Sequence, residues 1–112
     1  MSRVLKVDEY RNKPFDLTGL AEWGEVEDIA FKLPTPFKTD EYEQALIRIL
    51  RAMSFDPDVD SLAVVGRTIN CVFAALVMVK HYERLNVLIY SSIEERYVLR
   101  TFKSENFECI KH

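Results

Sequence analysis

Between Ser61 and Phe102 the chain passes through a short apolar run, a glycine, a long apolar helix, a second short run, a polar turn and a third run. That order calls for a parallel βαβ crossover extended by an antiparallel hairpin. Leu62 to Val65 reads as a buried strand, and Gly66 lets the chain reverse tightly. A helix then starts at Arg67 or Thr68 and runs to Glu83 or Arg84. Asn86 to Tyr90 returns as the neighbouring parallel strand, because crossovers of this kind are almost always right-handed and rejoin the same sheet. Ser91 to Glu95 is a turn, and Tyr97 to Phe102 comes back antiparallel. The helix between Ile69 and Val79 is apolar nearly all the way round, so one of its faces needs a cover beyond the sheet. Either a second helix or a second subunit would supply it.

The upstream half completes the layer. Arg3 to Val7 predicts a strand suited to a sheet edge, ended by Asn12-Lys13-Pro14. Asp16 to Trp23 predicts a short helical turn capped by Asp16 or Thr18, and Glu25 to Leu33 a second strand marked by Val26, Ile29, Phe31 and Leu33. Pro34 and Pro36 stop it. Thr39, as a capping hydroxyl, followed by Asp40 and Glu41 begins a helix whose apolar positions Tyr42, Ala45, Leu46, Ile49, Leu50 and Met53 form one stripe. The expected fold is one small α/β domain over residues 1–112: a four- or five-stranded mixed sheet with two main helices. Residues 103–112 read as a flexible tail in which Phe107, Cys109 and Ile110 could dock.

Composition narrows the function. At 112 residues the chain makes one domain, and its 48% hydrophobic content lies far from the disordered range. A net charge of −3 argues against broad electrostatic binding of nucleic acid. Cys71 and Cys109 form neither a disulfide framework nor a metal-ligand spacing, which suits a reducing cytoplasm. The N-terminus lacks the apolar core of a signal peptide, and the longest apolar run, Cys71 to Val79, is about half of the roughly 20 residues that cross a bilayer. A soluble, cytoplasmic protein without membrane contact is expected.

The candidate chemistry is sparse. Asp56-Pro57-Asp58-Val59-Asp60 starts like a calcium loop, but Ser61 and Arg67 stand where such a loop needs glycine and a bidentate glutamate, so a plain turn is expected and no metal is assigned. Gly66-Arg67-Thr68 offers more: a strand that ends in glycine and feeds a helix aims backbone N–H groups at one spot, where Arg67, Thr68 and Asn70 could add donors to an anion. A single glycine is nevertheless much weaker than a glycine-rich phosphate loop, and every βαβ unit contains such a turn. His81 is placed to complement a helix dipole and Cys71 to pack as a small hydrophobe. Ser91 and Ser92 lie in a turn without a histidine nearby in sequence, and Glu94 and Glu95 would point to opposite sides of an extended segment. No catalytic residue and no cofactor are assigned.

Three segments, Asp16-Leu17 with Ala21 to Val26, Phe55-Asp56-Pro57 through Val65-Gly66, and Asn86 to Tyr90 followed by Arg96-Tyr97, together resemble a group of small proteins of tailed bacteriophages. The chain departs from that pattern at Arg67-Thr68, where those proteins commonly carry Asp-Pro, and at Tyr90-Ser91, where they carry Trp-Asp. The resemblance implies a phage accessory protein working in the host cytoplasm, and it implies no catalytic residue.

Two functional readings follow. In the first, the protein acts non-enzymatically: it self-associates, as a dimer, and binds a host or phage protein. Phe73, Val77, Trp23 and Tyr42 are its candidate interface residues, with Phe15, Trp23, Phe37 and Tyr42 as exposed aromatics. In the second, it is a minimal nucleotide-binding or nucleotide-cleaving domain, with the Gly66-Arg67-Thr68 turns of two subunits around one ligand.

Overall fold

The computed structural model describes residues 2–7, 17–35, 37–65 and 68–107. Five strands form one sheet in the order β2-β1-β3-β4-β5. They are β1 (Arg3–Lys6), β2 (Glu25–Asp28), β3 (Ser61–Ala63), β4 (Arg84–Ser91) and β5 (Arg96–Lys103), and two helices, α1 (Thr39–Ala52) and α2 (Thr68–Tyr82), connect them. The first four strands are parallel, and β5 pairs antiparallel with β4. The parallel pairing of β3 with β4 sets Leu62 beside Val87, as the crossover requires.

The pleat divides the core into two layers. Leu5, Leu62, Leu85 and Val87 point to the face covered by α1 and α2, where they meet Tyr42, Leu46, Leu50, Cys71, Ala74 and Met78. Val4, Ala63, Val65, Leu88 and Tyr97 point to the other face, covered by Leu20 from a 3-10 helix over Leu17–Glu22. The 3-10 helix before β2 thus covers one face while α1 and α2 cover the opposite one. Burying this apolar area is the main driving force, at about 25 cal/mol per Å².

Several local expectations are corrected. β1 lies inside the sheet, between β2 and β3, and it is β2 that forms the edge. β2 stops at Asp28 because the Asp28 carboxylate accepts the N–H of Ala30 at 3.1 Å, turning the chain into a 3-10 helix over Ala30–Lys32. Thr39 is the first residue of α1 rather than its cap; Lys38 holds the N-cap position, with no side-chain cap hydrogen bond. β5 extends to Lys103 and a 3-10 helix over Ser104–Phe107 follows, at the start of the expected tail, whose residues 108–112 lie outside the described ones. Phe15, Cys109 and Ile110 lie outside the described residues.

Candidate functional site

Gly66 and Arg67, the centre of the predicted anion turn, also lie outside the described residues. Thr68 opens α2, and Asn70 is half-buried, its carbonyl accepting a 3.4 Å hydrogen bond from the Tyr42 hydroxyl. Topology adds one relevant fact. β3, which leads into this turn, neighbours β1, and the strand order reverses between these two.

The predicted interface residues divide by burial. Tyr42 and Val77 are buried inside the single chain, so Tyr42 is not an exposed aromatic as its position suggested. Its ring instead packs edge-on against Phe73, 5.7 Å between centroids, where α1 meets α2. A helix that is apolar all round has two covers here, the sheet and α1, and Phe73 and Val77 face them. Trp23 and Phe37 are exposed, as expected.

The uncovered side of α2 was not singled out by sequence. Ile69, Val72 and Leu76 are 50%, 46% and 65% exposed at i, i+3 and i+7, a single apolar stripe. Cys71, Ala74 and Met78 point into the core instead, so Ile69, Val72 and Leu76 are left on the solvent side of α2. On the same side of the sheet as the helices, Ile89 of the hairpin pairs with Val98, and Phe102 with Leu85. Ile89 and Phe102 are themselves partly exposed. The signal was present in the all-round hydrophobicity of Ile69 to Val79, but only the packing shows which side stays bare.

Where α1 and α2 meet at the surface, Oε1 of Glu43 accepts from Lys80 Nζ at 2.7 Å and lies 3.1 Å from His81 Nε2. The Lys80 ammonium, and after it the His81 ring, hold the Glu43 carboxyl below its usual range. His81 therefore answers to a side chain of α1 and not only to its own helix dipole. Burial pushes the nearby Tyr82 phenol up, partly opposed by the Arg51 charge.

The aspartates of the turn before β3 are used internally. Asp60, only 1% exposed, accepts the backbone N–H groups of Arg3 and Asp56, both at 2.8 Å, and pairs with the Arg3 guanidinium at 3.2 Å. Asp56 accepts the N–H of Asp58 at 2.9 Å. Carboxylates engaged in this way fix a turn, and no metal-binding group of His, Cys, Asp or Glu forms among the described residues.

A family model described as Phage Pam3 gp32-like protein matches residues 2–104. The chain belongs to the phage Pam3 gp32-like protein family. The match spans all five strands and both helices, so the family's shared unit is the whole sheet with its helical layer. No curated protein and no solved structure matches this Pam3 gp32-like chain. No helix among its described residues is long and apolar enough to cross a membrane.

Proposed function

We propose that this phage Pam3 gp32-like protein is a non-enzymatic binding module that works as a dimer, with a second copy of the chain seated on β5 and the bare flank of α2. The observation that carries this reading is an edge strand of eight residues, β5, in a hairpin where Ile89, Leu99 and Phe102 are partly exposed, on a chain whose α2 also leaves Ile69, Val72 and Leu76 exposed. An edge of that length presents unpaired backbone groups, and antiparallel pairing with its own copy would satisfy them on both subunits.

Side-chain chemistry selects the register. In an antiparallel pair, residues directly opposite share a face, so only alternate registers are allowed about a two-fold axis. A pair centred on Arg100 would set that arginine against its own copy and Glu95 against Glu105. Centring on Leu99 instead sets Leu99 against Leu99, Arg96 against Phe102, Val98 against Arg100, and Glu95 beside Lys103 at both ends. Like charges are avoided and apolar stems meet. The opposite edge, β2, then faces away from the axis with Trp23 exposed beside Glu25, a surface suited to a basic segment of a host or phage protein.

The test is a cysteine scan of β5 in a Cys109→Ser background, Cys71 being buried. Leu99→Cys should oxidise quickly to a covalent dimer, while Arg96→Cys and Thr101→Cys should not. Equal or absent cross-linking along the strand would remove the register.

A second reading, nucleotide binding at Gly66-Arg67-Thr68, is supported by one observation. The strand order reverses between β1 and β3, and in open α/β sheets ligands gather at the carboxyl ends of the strands at such a point. Arg67→Ala should then abolish nucleotide binding with the melting temperature nearly unchanged. An unaffected variant would remove this reading.

A further inference from the structure

The outer surface of the helical layer carries a groove of about 440 Å³ between α1 and α2. Gln44, Arg48 and Arg51 line one wall at i, i+4 and i+7 of α1, and Lys80 and His81 line the other. Glu43 is the one acid in the lining, and its Oε1 is already shared by Lys80 and His81. Arg48 and Arg51, by contrast, make no ion pair with any described residue. Arg51 lies close enough to Tyr82 for its charge to act on the phenol. The groove therefore holds three permanent positive charges against one negative, on a chain of net charge −3.

The simpler account is that these cations complement the carboxyl ends of the two helices. Those ends contribute about half a negative charge each, which leaves the groove positive. Two guanidinium forks one turn apart suit the successive phosphates of a chain, since each fork can take two oxygens of one group, whereas a lysine offers only a point charge. We infer that this groove binds a ligand carrying two or more linked phosphates, at a place separate from both the dimer surface and the Gly66 turn.

Isothermal titration of the full-length protein with inorganic tripolyphosphate tests this. One tripolyphosphate should bind per chain, weakening as salt is raised. The double variant Arg48→Gln/Arg51→Gln, changed only at exposed positions, should melt as wild type and bind at least about tenfold more weakly. Arg67→Gln should bind unchanged. ATP in a parallel titration separates the sources of the phosphate chain: tighter binding than tripolyphosphate assigns a nucleotide, equal binding an inorganic chain, and either supports the site. The site is overturned if wild type does not bind tripolyphosphate, if the double variant binds equally well, or if Arg67→Gln alone abolishes binding. A polyglutamate peptide that binds where tripolyphosphate does not would likewise overturn it and point to an acidic protein segment.

Discussion

Arg3 and Asp60 stand 57 residues apart in sequence and 3.2 Å apart in space, and their pair ties the start of β1 to the turn that delivers β3. The Asp60 carboxylate also takes two backbone N–H groups, so it organises the centre of the sheet and the loop beside it at once. Neighbouring Asn86 closes the same corner: its amide donates to the carbonyls of Pro57 and Asp60, and its oxygen accepts from Thr101 at 2.8 Å.

Removing that carboxylate leaves a partly buried arginine and two N–H groups without their acceptor. Asp60→Ala should cost about 3 kcal/mol, whereas Asp60→Asn, which keeps an acceptor, should cost less. Urea denaturation of the two variants checks the order; equal losses would show that acceptor geometry is unimportant.

Gly24 has φ +152°, and a Cβ built on it would lie 2.6 Å from the carbonyl oxygen of Ser2. That oxygen accepts the N–H of Glu25 at 3.1 Å, and the Ser2 hydroxyl donates to the Trp23 carbonyl at 2.9 Å. Gly24→Ala should therefore detach the start of β2 from the start of β1 and cost about 2 kcal/mol. Thermal melting reads it directly, and an unchanged melting temperature would show that the approach is not tight.

Exposure predicts a contrast along the helices. Leu46→Ala, in the fully buried core, should lose about 2–5 kcal/mol. Leu76→Glu, on the bare flank of α2, should leave monomer stability within about 0.5 kcal/mol while weakening self-association. Paired denaturation and light-scattering measurements separate the two effects; a Leu76→Glu variant that stays dimeric would take α2 out of the contact.

Glu43 gives a pH dependence of known sign. Its carboxyl titrates below 4.5 in the folded protein, chiefly because of Lys80 and then His81, so the folded state binds that proton less well than the unfolded chain. The stabilisation is fully present above pH 4.5 and is lost as the pH falls through the folded value. In acid titrations Glu43→Gln should therefore differ from wild type near neutrality and converge with it at low pH. A gap that widens on acidification would reverse the assignment.

Much of this fold was legible because periodicity reports burial. Leu62 to Val65 and Asn86 to Tyr90 read as strands and the Tyr42 to Met53 stripe as one helix face, since each pattern is the trace of a packed core. The position of β1 was not legible: Val4, Leu5 and Val7 would suit an edge or an interior strand, and only the long-range pair of Arg3 with Asp60 and the ladder to Leu62 settle it. β2 was overrun because Val26, Ile29, Phe31 and Leu33 keep a strand-like spacing, while the Asp28 side chain turns the backbone. At the surface, aromatic character guided Trp23 and Phe37 correctly but not Tyr42. Tyr42 is core, and the bare stripe is aliphatic, because exposure depends on which neighbour covers a helix and composition carries no trace of that.

Sedimentation velocity of the full-length protein over a wide concentration range tests the central claim most directly. A dimer whose dissociation is promoted by Leu76→Glu and by a β5-breaking Leu99→Pro is the predicted result. A wild-type monomer at every concentration would contradict it.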